Sequence, residues 1–136
     1  MPTRIYADTS AVARLFIAEK ESPDLRKWLM AQPALQLVSS ALLGVELVRL
    51  LGLARPAALG DAERFLGADI DIVEITPPIL TDAARAAPPR LRTLDAIHLA
   101  TALDLGPTVG TMLTYDKLLA EAARAAGMAT FSPGAA

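Results

Sequence analysis

Five short apolar runs, each but the last followed by a helical stripe, set the fold open to this chain. Arg4 to Ala7, Ala34 to Val38, Ile70 to Ile75, Val109 to Leu113 and Met128 to Phe131 have the length and composition of strands, with Gly110 a weak point in the fourth. After the first run, Asp8-Thr9-Ser10 turns into a stripe of Ala11, Val12, Leu15 and Phe16. Ser22-Pro23 is a helix start, capping residue then proline, with Leu25, Trp28 and Leu29 inward. Ser39 or Ser40 caps a helix to about Leu51, whose stripe is Leu42, Leu43, Leu47 and Leu50. Arg55 to Gly67 is amphipathic, and Thr76-Pro77-Pro78 opens a helix that ends before Pro88-Pro89. Thr93 caps a helix carrying Leu94, Ile97, Ala100 and Thr101 and stopping at Gly106, and a last helix runs from Asp116 to Gly127. Strands alternating with helices predict an α/β fold: a central, mostly parallel sheet of about four or five strands with helices on both faces. Right-handed crossovers then place the ends of the first, second and fourth strands on one side.

Size and composition exclude several classes. A chain of 136 residues that is 53% hydrophobic and poor in aromatics buries roughly two-thirds of its unfolded surface as one domain, and is not disordered. With no cysteine there is neither a disulfide framework nor a thiolate metal site. Ile5 and Tyr6 run straight into Asp8, so no apolar leader is expected. The uncharged stretch Trp28 to Val45 is interrupted by Gln32, Pro33, Gln36, Ser39 and Ser40 and is not a membrane span. A cytoplasmic protein is the expectation. A net charge of −2 argues against a broad electrostatic grip on nucleic acid, though a bound cation would supply positive charge locally.

The chemistry lies in four acids. Asp8 follows the first strand, Asp116 the fourth, Asp95 sits in the first turn of an otherwise apolar helix, and Glu46 interrupts an apolar stripe. Each has an ordinary explanation: Asp8 or Thr9 as a helix cap, Asp95 as partner of the helix dipole, Glu46 as ion-pair partner of Arg49. Together they fall where open α/β sheets bind ligands, beyond the carboxyl ends of the strands. Clustered carboxylates repel unless a cation neutralises them. Oxygen donors without His or Cys suit Mg²⁺ or Mn²⁺, and such a cation assists phosphodiester hydrolysis by acidifying a water and stabilising developing charge. Arg90, Arg92 and Lys117 flank the expected crevice and can hold phosphates. His98, three residues after Asp95, is read as a packed or hydrogen-bonded core residue.

Tyr6-Ala7-Asp8-Thr9-Ser10-Ala11, Ser39-Ser40 leading to Glu46, Arg92-Thr93-Leu94-Asp95-Ala96-Ile97-His98-Leu99-Ala100-Thr101-Ala102 and Leu113-Thr114-Tyr115-Asp116-Lys117 resemble, in order and spacing, the successive motifs of a PIN domain of the VapC toxin type. The resemblance implies a PIN-like three-layer fold over residues 1–132, with 133–136 a short tail. It also implies an endoribonuclease dependent on Mg²⁺ or Mn²⁺, a cognate VapB-type antitoxin, an RNA substrate and a homodimer. Carried over by position, Asp8, Glu46, Asp95 and Asp116 are the catalytic, metal-binding acids. Thr9 and Thr114 contribute hydroxyl contacts, and with Arg92 and Lys117 form the substrate side. Some relatives have a further acid after the fourth, where this chain has Lys117-Leu118-Leu119, so a second metal position is less well supplied.

Two other readings remain. The acidic pocket of a binding module with little catalysis would receive a basic side chain of a partner protein. A phosphatase using Asp8 as nucleophile commonly has a second acid two residues later, and position 10 is Ser.

Overall fold

The computed structural model describes residues 3–135. The expected domain's Met1 and Pro2, and the expected tail's Ala136, lie outside the described residues. The strands are β1 (Thr3–Ala7), β2 (Leu35–Ser40), β3 (Asp71–Val73), β4 (Thr111–Leu113) and β5 (Ala129–Phe131). They form one sheet in the order β3-β2-β1-β4-β5, and every neighbouring pair is parallel. The helices are α1 (Thr9–Ala13), α2 (Ser22–Met30), α3 (Leu42–Ala54), α4 (Leu59–Ala68), α5 (Pro77–Ala84), α6 (Thr93–Asp104) and α7 (Lys117–Ala125).

Alternation along the strands builds a core on each face. Ile5 and Ala7 of β1, with Leu113 of β4, enter a cluster that includes Val12 of α1, Leu25 of α2, Leu43, Leu47 and Leu51 of α3 and Ala62 of α4. Tyr6 and Met112, the intervening residues, enter a second cluster with Ala96, Leu99 and Ala102 of α6 and Leu119, Ala122 and Ala123 of α7. The expected α/β architecture, a parallel sheet with helices on both faces, is therefore the observed one.

Local chemistry explains most boundaries. Thr76 Oγ1 accepts from the Ile79 N–H at the start of α5. Gly127, at φ 96°, closes α7: its own N–H donates to the Arg124 carbonyl at 3.0 Å and the Met128 N–H to the Ala123 carbonyl at 3.0 Å. Several expectations are corrected. Ser39 and Ser40 continue β2, because parallel pairing with β3 extends to Ser40↔Val73. Ser39 donates to the Ala7 carbonyl at 2.6 Å, and only Ser40 touches the next helix, accepting from the Leu42 N–H. Ser22 lies inside α2, its hydroxyl donating to the Arg14 carbonyl at 2.7 Å rather than capping. In α3 the buried stripe is Leu43, Leu47 and Leu51, with Leu50 turned outward. In α6 Leu94 faces outward and His98 inward, and the N-cap is Arg92 rather than Thr93. No helix among the described residues is long and apolar enough to cross a membrane.

The two faces of α3 differ in their cost of truncation. Leu47 is fully buried and Leu53 is 87% exposed. Leu47→Ala is expected to lower unfolding stability by about 2–5 kcal/mol and Leu53→Ala by about 0.5 kcal/mol or less, read from urea denaturation midpoints at constant slope.

Candidate active site

The side chains that leave the carboxyl ends of β1 and β4 meet through hydroxyl groups. Asp8 follows β1 in extended conformation and caps α1, where Oδ1 accepts from the Ala11 N–H at 3.1 Å. The Ser10 hydroxyl donates to the same oxygen at 2.7 Å, and the Thr114 hydroxyl to Oδ2 at 2.7 Å. Asp8 is 3% exposed. Burial pushes its carboxyl above the ordinary value, opposed by the hydroxyls of Thr114 and Ser10.

Asp116 repeats the arrangement after β4. It caps α7, accepting from the Leu119 N–H at 2.8 Å, and its own N–H donates to Thr114 Oγ1 at 3.1 Å. One threonine hydroxyl thus connects both acids. Ser10 ties the same two segments, accepting from the Tyr115 N–H at 2.8 Å while donating to Asp8. From below, Arg14 donates to the Ser10 carbonyl at 2.8 Å and lies 4.2 Å above the Tyr115 ring.

Asp95 stands in the first turn of α6. Burial raises its carboxyl, the charges of Asp116 and Asp8 add to the rise, and Arg92 offsets part of it. The Arg92 guanidinium spans two acids, with Nη2 2.8 Å from Asp116 Oδ2 and Nε 3.4 Å from Asp95 Oδ2. Arg90 and Lys117 are exposed.

Glu46 projects from α3, and its partners come from elsewhere in the chain. Its Oε1 accepts from the Thr9 hydroxyl at 2.7 Å and stands 2.7 Å from His98 Nε2. Burial works to raise this carboxyl, but the hydrogen bonds from His98 and Thr9 outweigh it and leave it below the ordinary value. His98 and Thr9 occupy the place that a local reading gives to Arg49.

Asp8, Asp95 and Asp116 thus lie within electrostatic reach of one another, and Glu46 is held to one side by α6 and α1. Among the described residues, no three His, Asp or Glu groups are close enough to cage an ion unaided. The donors are nonetheless those of a hard, hydrated cation. They are oxygens, like charges raise Asp95, and a guanidinium already supplies positive charge between two of them. Mg²⁺ usually keeps several waters and takes one or two carboxylates rather than a complete protein cage. Ser10 and Tyr6 escaped notice as polar partners in the sequence; Asp-x-Ser at a strand-to-helix turn was the available signal for Ser10, because a serine there reaches back to the preceding acid.

The PIN domain family model matches residues 5–125. Ribonuclease VapC47 of Mycobacterium tuberculosis is 41% identical over 135 residues, covering 96% of this chain and 98% of that protein. Among solved structures, Mycobacterium tuberculosis VapC20, described as a sarcin-ricin loop cleaving toxin, superposes with a TM-score of 0.74 at 20% identity, over 95% of this chain and 99% of the other. A toxin–antitoxin complex from Klebsiella pneumoniae superposes with a TM-score of 0.62 at 20% identity, over 82% and 86%.

The raised carboxyls have a measurable consequence. Between the unfolded value of about 3.9 and the raised folded values, the native protein binds more protons than the unfolded chain, so Asp8 and Asp95 make stability fall as pH rises through that window. In EDTA near neutral pH, Asp95→Asn is expected to melt a few degrees above wild type, and the difference should shrink as pH is lowered towards the unfolded value. Asp8→Asn should gain less, since its amide would face the Thr114 hydroxyl where Oδ2 now accepts. Thermal melts across a pH series check both, and a pH-independent gain for Asp95→Asn would contradict the cause assigned here.

Proposed function

The chain belongs to the PIN-domain family, among the VapC-type ribonucleases, and from that premise we propose that it is the toxin of a type II toxin–antitoxin pair, an endoribonuclease that hydrolyses RNA phosphodiester bonds with Mg²⁺ or Mn²⁺. The observation that carries this reading is the convergence of three acids at the carboxyl ends of the central strands, with Asp95 and Asp116 bridged by the Arg92 guanidinium and Asp8 joined to Asp116 through the Thr114 hydroxyl. Asp8, Asp95 and Asp116 hold the cation, and Glu46 contributes directly or through water. When bound, the cation acidifies an attacking water and stabilises negative charge on the phosphate. Thr114 and Ser10 fix the Asp8 carboxyl in place and oppose the rise that burial imposes by donating to both of its oxygens. Thr9 holds one oxygen of Glu46, donating to Oε1.

Arg92 has two employments in this reading. It neutralises Asp95 and Asp116 as seen, and once a cation takes that role it joins Lys117 in holding the RNA phosphates. The cytoplasm is the proposed compartment, and a VapB-type antitoxin the proposed inhibitor. A homodimer is supported by the outward apolar residues of α3, with Leu50 38% and Leu53 87% exposed, whereas Trp28 is engaged with Phe131 at 5.1 Å between ring centroids.

Antitoxin-free protein incubated with total bacterial RNA in Mg²⁺, Mn²⁺ or EDTA tests the reading, with Asp95→Asn purified identically. Discrete cleavage in metal but not EDTA is expected, reduced at least about 100-fold in Asp95→Asn, as a loss of ~3 kcal/mol of charge stabilisation implies. Equal behaviour of the two proteins on every RNA would instead favour an acidic pocket that only receives a basic side chain. Arg92→Ala should raise KM for RNA while tightening Mn²⁺ binding measured without RNA, because a competing cation is removed. Weaker Mn²⁺ binding in that variant would count against the exchange.

A further inference from the structure

A buried polar chain runs from the centre of the sheet to the pocket. Tyr6 of β1 is fully buried, and its hydroxyl lies 2.7 Å from His98 Nδ1. The other ring nitrogen, Nε2, lies 2.7 Å from Glu46 Oε1. His98 is 1% exposed and packs edge-on to Tyr6, with ring centroids 5.9 Å apart at 74°. An aliphatic side chain would fill this space without the cost of burying two ring nitrogens. Packing alone therefore does not account for a histidine here.

Donor and acceptor chemistry gives the chain a direction. An ionised carboxylate only accepts, so Nε2 carries the proton that faces Glu46. A tyrosine hydroxyl is a proton donor near neutral pH, so at 2.7 Å Tyr6 donates to Nδ1. One neutral tautomer satisfies both ends. The Thr9 hydroxyl donates to the same Oε1 at 2.7 Å and stands 3.4 Å from Nε2, closing a triangle of Thr9, His98 and Glu46. Two donors thus occupy Oε1. Among the described residues Oε2 has no hydrogen-bond partner, and since no buried side-chain oxygen there lacks one, Oε2 reaches solvent.

We propose that His98 is a positioning residue for Glu46: held in one tautomer by Tyr6, it clamps Oε1 and leaves Oε2 free to serve the cation directly or through a water. The inference rests on the metal-dependent reading above. A glutamate has several side-chain torsions to fix before it binds, and the clamp fixes them in advance. It also accounts for a polar path that starts at Tyr6, on the face covered by α6, and ends at an acid carried by α3, a helix of the other face.

Mn²⁺ binding without RNA, measured by calorimetry or by the loss of free-ion EPR signal, tests the proposal alongside thermal melting. Wild type should bind, and Asp95→Asn should bind far less. His98→Leu should weaken binding by about 10–100-fold, the range found for groups that orient metal ligands. Tyr6→Phe should weaken it by a smaller factor, because the ring still touches Glu46 but in a mixture of tautomers. His98→Gln, whose amide N–H can reach Oε1, should recover most of the affinity. A purely structural histidine predicts lowered melting temperatures with unchanged Mn²⁺ affinity, and affinity within about twofold of wild type in folded His98→Leu overturns the proposal. Should that variant not fold, unchanged binding by Tyr6→Phe overturns it equally. Loss in Asp95→Asn with retention in both His98→Leu and Tyr6→Phe defeats the positioning role alone. No binding by wild type defeats the metal reading and the positioning role together.

Discussion

A carboxylate taken out of water must find donors or give up its charge, and Asp8 finds three. The Ala11 N–H comes from its own helix, the Ser10 hydroxyl from the same turn, and the Thr114 hydroxyl from the far end of the neighbouring strand. The third sets a constraint on everything else. Thr114 can reach Asp8 only if β4 lies beside β1 in the register Ile5↔Thr111 to Ala7↔Leu113, and that register also places Asp116 at the head of α7. Satisfying one buried acid and aligning the two central strands are the same event.

The alternation of β1 extends the argument to both cores. Ile5 and Ala7 serve the face covered by α1 to α4, while Tyr6 serves the face of α6 and α7. A shift of one residue in β1 would exchange the faces, bury Arg4 and withdraw the Tyr6 hydroxyl from His98. The site is therefore attached to both layers: Asp8 through the strand ends, Glu46 through α3, and Asp95 with His98 through α6.

What could be read from the sequence followed distance along the chain. Asp8 and Asp116 were legible at strand-to-helix turns because their caps are local, Ala11 and Leu119 being three residues on. The alternation of elements carried the α/β sheet with little ambiguity, and Gly127 marked a helix end through its φ. Glu46 was legible as an acid needing a partner, yet the nearest cation in sequence, Arg49, was the wrong one, since His98 is 52 residues away. Apolar periodicity also misplaced faces: Leu94 and Leu50 looked inward, but each helix turned to bury a different row, in α6 one that contains a histidine. Ser39 and Ser40 looked like caps because serine favours both roles, and only the neighbouring β3 decided for a strand.

The separation between Asp8 and Thr114, 106 residues, bears on how the protein is made. Synthesis delivers Asp8 well before its essential donor, which follows β2, β3 and six helices. Until β4 pairs with β1, Asp8 lacks one of its hydroxyl donors, and until α6 is in place Glu46 lacks His98. An unfinished copy therefore holds these groups apart, and they come together only when the last third of the chain is in place.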